Sequence, residues 1–373
     1  MKLTIALIPG DGIGPEVTAQ AKKALEAVAE VYNHIFLFKE AQMGACAIEA
    51  TGNPLPDETI EICKKADAIL FGAIGDPKYD NDPTAKIRPE QGLLRLRQEL
   101  GLYCNLRPVR AYEKLIKNSP LKREVILGTD IIIYRELSGG IYFGDKKLSK
   151  DEQSAFDVCS YTVEEISRVT HLAFKAAQNR RKKVTLVDKS NVLETSRLWR
   201  KTVTKIAEKY ENVELEFMFI DNAVMQIILN PKQFDVILSE NLFGDILSDE
   251  ASVIAGSIGL LASSSVGEKT ALFEPIHGSY PQAKGKDIAN PLASILSAAM
   301  LLEHLGLHEE ADAIQRGVEK SLALGITTED IKGKNQYSAS TSKVGHFIAD
   351  YIANQEDSNM NFQNIHMGQS TII

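Results

Sequence analysis

The sequence has few features that would place it outside the soluble metabolic proteins. Its four cysteines, Cys46, Cys63, Cys104 and Cys159, are scattered with no Cys-x-x-Cys spacing. That excludes a disulfide framework and a thiolate zinc site, and it fits free thiols in a reducing, cytoplasmic compartment. The longest uncharged stretch, residues 251–267, is rich in Ser and Gly and too short to span a bilayer. The early apolar run at residues 3–8 stops at Pro9-Gly10-Asp11-Gly12, so it reads as a first strand and not as a signal-peptide core. A basic excess is also missing. The net charge is −8, which argues against nucleic acid or an anionic membrane as a partner. The 373 residues suffice for two domains with substantial cores.

A third Rossmann glycine is lacking as well. Gly10-Asp11-Gly12-Ile13-Gly14 is Gly-x-Gly-x-Gly, and a tight strand-to-helix turn accounts for it better than a dinucleotide fingerprint. Around it the chain alternates strand and helix patterns. Strands are predicted at 3–8, 34–39, 68–71, 124–133 (broken by Gly128), 183–187, 213–220 and 234–238. Helices are predicted at 14–31, after Pro56, and at 92–100, 162–180, 198–210, 291–305 and 309–324. In 213–220 the alternation sets Glu214 and Glu216 against Val213, Leu215, Phe217 and Phe219. Residues 75–89 read as a polar loop or hinge, 145–157 as a charged excursion, and 354–373 as a polar tail. The fold class is α/β, a large mixed, mainly parallel sheet flanked by helices, and not a Rossmann fold.

The chain's centre of interest is Ser239-Glu240-Asn241-Leu242-Phe243-Gly244-Asp245-Ile246-Leu247-Ser248-Asp249-Glu250, which follows a buried strand. Gly244 permits a turn and a helix opens at Asp245. Asp245 and Asp249, four apart, then share one helical face. Spacing alone suits an acidic first turn complementing the helix dipole. On spacing alone that reading is preferred to the other one, two oxygen ligands for Mg²⁺ or Mn²⁺. Position favours a site: Lys189, Asp221 and the 239–249 segment each follow the carboxyl end of a strand, the edge where parallel α/β sheets bind ligands.

Several segments then carry a resemblance. They are Arg88-Pro-Glu90-x-Gly92-Leu93-Leu94-x-Leu96-Arg97, Asn105-Leu106-Arg107-Pro108, Arg135-Glu136-Leu137-Ser138-Gly139-Gly140-Ile141-Tyr142, Asp188-Lys189-Ser190-Asn191-Val192-Leu193, the 239–250 segment, and Phe273-Glu274-Pro275-Ile276-His277-Gly278-Ser279. In that order, over residues 3–352, they resemble the isocitrate/isopropylmalate β-decarboxylating dehydrogenase family. The resemblance implies an NAD-dependent oxidation and decarboxylation of (2R,3S)-3-isopropylmalate to 4-methyl-2-oxopentanoate and CO₂ in leucine biosynthesis. Siblings acting on isocitrate, homoisocitrate or tartrate are the alternative.

It further implies a homodimer with shared active sites. A discontinuous cofactor-side domain (1–102 plus 256–353) would face a dimerisation and substrate domain (103–255) across a substrate cleft closed by a hinge, with an arm near 145–160. The residues that match are Tyr142 and Lys189 as catalytic groups and Asp221, Asp245 and Asp249 as ligands of Mg²⁺ or Mn²⁺. Arg97, Arg107, Arg135 and Asp221 match substrate-binding positions, and Leu93 and Leu94 those facing the γ-alkyl group. Arg95, two residues from Arg97, points elsewhere on the helix. Lys189 and Asp221 would enter from the partner subunit.

For NAD the resemblance points to Glu90, His277, Gly278, Ser279, Gln282, Ala283, Ala289, Asn290 and Asp330. Gln282 stands where the family usually has an acidic residue. Gln282-Ala283 also lacks the cation that would hold a 2′-phosphate, although Lys284 and Lys286 lie close by. From the metal role, Asp245→Asn is expected to abolish turnover and leave unfolding nearly unchanged.

Overall fold

The computed structural model describes residues 1–81, 85–333 and 337–354. Three residues of the expected 75–89 loop and all but Asn354 of the expected tail lie outside them. The chain forms two compact units, Met1–Gly92 with Phe273–Ile373, and Leu93–Leu272. The boundaries expected at 102/103 and 255/256 both lie inside the second unit. The reason is a strand pairing: 262–266 runs antiparallel to the strand that begins at Cys104, and the Tyr103 N–H donates to the Val266 carbonyl at 2.9 Å.

Among the described residues twelve strands form: β1 Lys2–Gly10, β2 Ile35–Glu40, β3 Ala68–Ala73, β4 Cys104–Arg110, β5 Asp130–Glu136, β6 Lys146–Leu148, β7 Ala155–Asp157, β8 Lys183–Asp188, β9 Glu214–Phe219, β10 Val236–Ser239, β11 Ala262–Val266 and β12 Ala271–Pro275. In the first unit the order is β2-β1-β3-β12, with β1 parallel to both neighbours. Every residue of β3 is buried, as a parallel strand covered on both faces should be. The Gly14–Val31 helix starts with Pro15 in its first turn and buries Val17, Ala21, Ala24, Leu25 and Val28. It packs against the Leu292–His304 and Thr341–Ala353 helices.

In the second unit the order is β11-β4-β5-β10-β8-β9. β11, β4 and β5 are antiparallel, whereas β5, β10, β8 and β9 run parallel. The sheet is therefore mixed and mainly parallel. Period-two alternation divides its side chains between two cores. Val184, Leu186, Val236 and Leu238 join Phe174 and Trp199 on one face. Ile131, Ile133, Val187 and Ile237 join Phe234 and Leu247 on the other. Each large side chain so buried contributes roughly 1.5–3 kcal/mol. The Val163–Gln178 helix opens with a full capping box, Thr162 and Glu165 satisfying each other's backbone N–H.

Four local expectations are corrected. The predicted strand at 124–133 is a short helix, Arg123–Ile126, followed by β5, because Gly128 turns the chain with φ +83°. The helix placed at 198–210 runs Glu194–Ala207. Gly244 does not form a turn: the helix runs Asn241–Ser252 and Gly244 lies buried within its first turn. On the edge strand β9, Met218 is buried while Phe217 is 38% exposed. The Arg200 guanidinium, carried by the Glu194–Ala207 helix, sits 4.6 Å from the Phe217 ring centroid, so the ring meets a charged side chain and not an apolar core.

The expected excursion near 145–160 is the β6–β7 antiparallel hairpin. All its strand residues are exposed, including Leu148 and Phe156.

Candidate active site

The parallel register of β5, β10, β8 and β9 brings their carboxyl ends to one edge. β5 ends at Arg135-Glu136, β10 runs into Glu240-Asn241, β8 into Asp188-Lys189, and β9 into the Ile220–Leu229 helix carrying Asp221. β4, antiparallel to β5, sets Asn105 opposite Arg135. The edge collects cations and carboxylates from elements far apart in sequence.

Arg135 is the most buried arginine of the group, 5% exposed. Its Nε and Nη2 donate to Asn241 Oδ1 at 3.1 and 2.8 Å, and its Nη1 donates to Asp245 Oδ1. Burial, joined by the nearby Arg107 and Arg97 charges, lowers its pKa to about 10 against the pull of Asp245. The three arginines thus reinforce one positive field. Arg107 donates from Nε to Asn105 Oδ1 (2.9 Å) and from Nη1 to Ser248 Oγ (2.8 Å) and Asp249 Oδ1 (2.7 Å). Its Nη2 lies 3.5 Å from Asp245 Oδ1. One guanidinium therefore spans both aspartates, which do share a helical face.

The Tyr142 hydroxyl donates to Asp245 Oδ2 at 2.9 Å. Its pKa is raised, first by desolvation and then by the Asp245 carboxylate, so it stays a proton donor at neutral pH. Arg135 sits 5.5 Å from its ring centroid.

Gly244 makes this packing possible. A Cβ there would lie 2.8 Å from Arg135 Cγ and 2.9 Å from its Cβ. Gly244→Ala must push the Arg135 stem away from Asp245. We expect about 1–3 kcal/mol of destabilisation together with a raised KM for an anionic substrate. Unchanged denaturant midpoint and KM would show that Arg135 can shift at no cost.

Lys189 and Asp221 form a separate pair. Lys189 Nζ donates to Asp221 Oδ1 at 2.7 Å, and this bond holds the Asp221 carboxyl below its ordinary range. Among the described residues no three His, Cys, Asp or Glu side chains are grouped to hold a metal ion. Asp245 and Asp249 thus meet within one chain, and Asp221 does not join them. Leu93 is half-buried and Leu94 is 47% exposed, on the same helix as Arg97. Arg95 makes an exposed i,i+4 ion pair with Glu99.

Several positioning residues escaped sequence reasoning. Asn241, Asn105 and Ser248 orient the two arginines, and Tyr161 Oη accepts from the Asn241 N–H at 3.0 Å. Glu136, fully buried, accepts the Ser138 and Gly139 N–H groups at 2.8 Å each and so shapes the turn before Tyr142. Glu240, 5% exposed, has a buried Oε2 without a hydrogen-bond partner. The one available signal was that these polar residues flank or follow strand ends.

In the first unit, the residues expected to hold NAD cluster in the 277–290 segment and its supports. His277 Nδ1 lies 2.9 Å from the Gly278 carbonyl, while its Nε2 is buried without a hydrogen-bond partner among the described residues. Burial lowers the His277 pKa and keeps the ring neutral. The Asn290 amide donates to Asp330 Oδ2 at 3.0 Å, and the Thr328 hydroxyl to Asp330 Oδ1 at 2.6 Å. Ala283 and Ala289 are buried with Ile13 and Val17, so they support the segment from beneath. Gln282 is exposed. Glu90 is exposed too, with Oε1 beside Gly75.

The glycine-rich turn after β1 is structural. The Ile13 N–H donates to the Ser279 carbonyl at 2.8 Å, and a Cβ on Gly12 would lie 2.0 Å from that oxygen. The Asp11 carboxylate accepts the Ala45, Cys46 and Gly75 N–H groups at 2.8–3.0 Å.

An α/β sheet whose carboxyl edge gathers three arginines around two carboxylates and a tyrosine defines a site for small anionic substrates. Residues 4–348 match the isocitrate/isopropylmalate dehydrogenase family, and the chain belongs to it. It is 53% identical over 354 residues to the 3-isopropylmalate dehydrogenase of Wolinella succinogenes, covering 94% of this chain and 98% of that one. It is 50% identical over 352 residues to the 3-isopropylmalate dehydrogenase of Bacteroides fragilis, covering 94% and 99%. The crystal structure of isocitrate dehydrogenase from Methylococcus capsulatus superposes with a TM-score of 0.83 at 33% identity, covering 94% and 99%.

Proposed function

We propose that this enzyme oxidises and decarboxylates (2R,3S)-3-isopropylmalate to 4-methyl-2-oxopentanoate in leucine biosynthesis, using NAD and Mg²⁺ or Mn²⁺, as a cytoplasmic homodimer. The observation that carries the reading is the Asp245–Asp249 pair ringed by arginines, with the Tyr142 hydroxyl on Asp245. The substrate choice rests on the relatives, since identity is 53% to an isopropylmalate enzyme and 33% to an isocitrate enzyme.

The residues fit both absent groups. Asp245 and Asp249 offer the hard oxygen donors a divalent cation prefers, within reach of one guanidinium. Asp221 fits as a ligand contributed by a second copy, since within one chain it pairs with Lys189. The buried His277 Nε2, which finds no hydrogen-bond partner among the described residues, fits a donor or acceptor on NAD. When bound, the cation supplies Lewis-acid polarisation and the nicotinamide accepts hydride.

The chain's own groups do the rest. Arg97, Arg107 and Arg135 hold the substrate carboxylates in planar, bidentate fashion. Lys189, from the second copy, takes the proton of the substrate hydroxyl. Tyr142, kept protonated, delivers a proton to carbon after CO₂ leaves. Leu93 and Leu94 take the isopropyl group.

The dimer is supported by apolar side chains that one chain leaves uncovered. Met225, Leu229 and Ile246 are 50–65% exposed on the Ile220–Leu229 and Asn241–Ser252 helices. Leu148 and Phe156 are exposed on the hairpin. We expect the first unit to carry the cofactor and the second the substrate and dimer contacts.

The test is NADH formation by purified protein offered 3-isopropylmalate, isocitrate, homoisocitrate or tartrate, with NAD or NADP, before and after chelation. The expected result is turnover of 3-isopropylmalate with NAD, lost with chelator and restored by Mn²⁺. Preference for another acid, or activity indifferent to chelation, overturns the reading.

A further inference from the structure

Tyr280 has φ +38° and ψ +62°, in the left-handed region. The described non-glycine residues with positive φ are Asn33, Glu152, Lys182, Tyr280 and Asp287, so Tyr280 is the aromatic one among them. Asn and Asp tolerate this conformation through short polar side chains, and a bulky ring does not. Tyr280 also precedes Pro281, and proline drives the residue before it toward extended backbone. Two local preferences are therefore overridden at one residue.

The backbone around it shows how. The Ser279 carbonyl is held by the Ile13 N–H at 2.8 Å and pressed against Gly12. The Ala283 N–H donates to the Tyr280 carbonyl at 3.0 Å. These contacts hold the main chain and make no use of the ring. The ring is 54% exposed, and among the described residues none of the ring-stacking or cation–π contacts involves it. A strained, half-exposed aromatic stands three residues from His277, whose buried Nε2 has no hydrogen-bond partner among the described residues. Such strain concentrates at ligand-binding segments, where the fixed backbone presents a side chain it could not otherwise aim.

We propose that Tyr280 is a cofactor-binding residue whose ring is the flat face on which the adenine of the dinucleotide stacks. This rests on reading residues 277–290 as the cofactor segment, and adds to it a specific contact with the adenosine half. The phenol hydroxyl has no necessary part, because stacking uses the π face alone.

The experiment is calorimetric titration of the full-length enzyme with NAD and with ADP-ribose, which carries the adenosine half without nicotinamide. Wild type is compared with Tyr280→Phe and Tyr280→Gly, and thermal unfolding is measured alongside. Tyr280→Gly is expected to weaken both ligands about tenfold, the order of one lost base–aromatic stack. It is also expected to raise Tm by about 1–3 °C, since glycine adopts this backbone without strain. Tyr280→Phe should bind both ligands like wild type.

Wild-type affinity in Tyr280→Gly overturns the inference, as does a Tyr280→Phe variant as weak as the glycine one. Weakening confined to NAD, with ADP-ribose unaffected, overturns the adenine assignment. Wild type that binds neither ligand takes down the cofactor reading itself, and this inference with it.

Discussion

Asp245→Asn is expected to lower turnover by about a thousandfold, the order lost when a group that stabilises transition-state charge is removed. In the structure Asp245 is the meeting point of Arg135, Arg107 and the Tyr142 hydroxyl. Neutralising it removes a hard oxygen donor and the acceptor that orients Tyr142. It also withdraws the compensating charge from Arg135, whose side chain is 6% exposed. Stability should therefore fall as well, which the sequence alone did not lead us to expect. Uncompensated buried charge can cost roughly 3–5 kcal/mol. Asp245 is 27% exposed and asparagine keeps an oxygen, so about 1–2 kcal/mol is the reasonable size. The measurements are Mn²⁺-saturated turnover and the urea midpoint. Near-normal turnover would remove Asp245 from the ligand set. An unmoved midpoint would show that Arg135 finds another partner.

Glu240→Gln is expected to stabilise the protein at pH 8 and to flatten its pH dependence. Burial, joined by the Glu136 and Asp188 carboxylates, raises the Glu240 pKa from an ordinary 4.5 to about 7. Tyr161 and Cys159 also face it, and its charge raises their pKa values in turn. Below about pH 4.5 folded and unfolded chains both hold the proton, so Glu240 makes no difference. From there to about pH 7 the folded chain keeps a proton the unfolded chain has released, and stability falls as pH rises. Above pH 7 the cost is complete, on the order of 3 kcal/mol. Glutamine carries no charge to desolvate and can donate to the surrounding carboxylates. Urea midpoints at pH 5 and pH 8 should differ less in the variant than in wild type, after both are corrected for the other titrating groups. An equal difference in the two proteins would mean that water or a moving neighbour already solvates Glu240.

Much of the frame could be read along the chain. The Gly14–Val31 helix matches its expected span because Pro15 marks its start and apolar residues recur at helical spacing. The buried strands β1, β3, β8 and β10 declare themselves as short apolar runs bounded by polar turns. What failed locally was set by distant partners. Gly244 reads as a turn because glycine usually is one. It lies inside a helix, and it is glycine there because the Arg135 stem leaves no room for a Cβ. Phe217 reads as core by alternation, but on edge strand β9 it is 38% exposed and meets the Arg200 guanidinium.

The site divides the same way. Residue types and their order along the chain, arginines, paired aspartates, a tyrosine and a lysine at strand ends, determine the chemistry available and were visible without coordinates. Residue type is a local property, and periodicity is enough to place it on a helix or a strand end. Which of those groups meet was decided only by the register of β4, β5 and β10, which sets Asn105 against Arg135 and carries Asn241 and Asp245 to it. The same tertiary packing buries Glu240 beside two other acids and bends Tyr280 into a conformation its own sequence disfavours. Burial, the field of neighbouring charges and enforced backbone geometry are sums over residues remote in sequence, and no local pattern contains them.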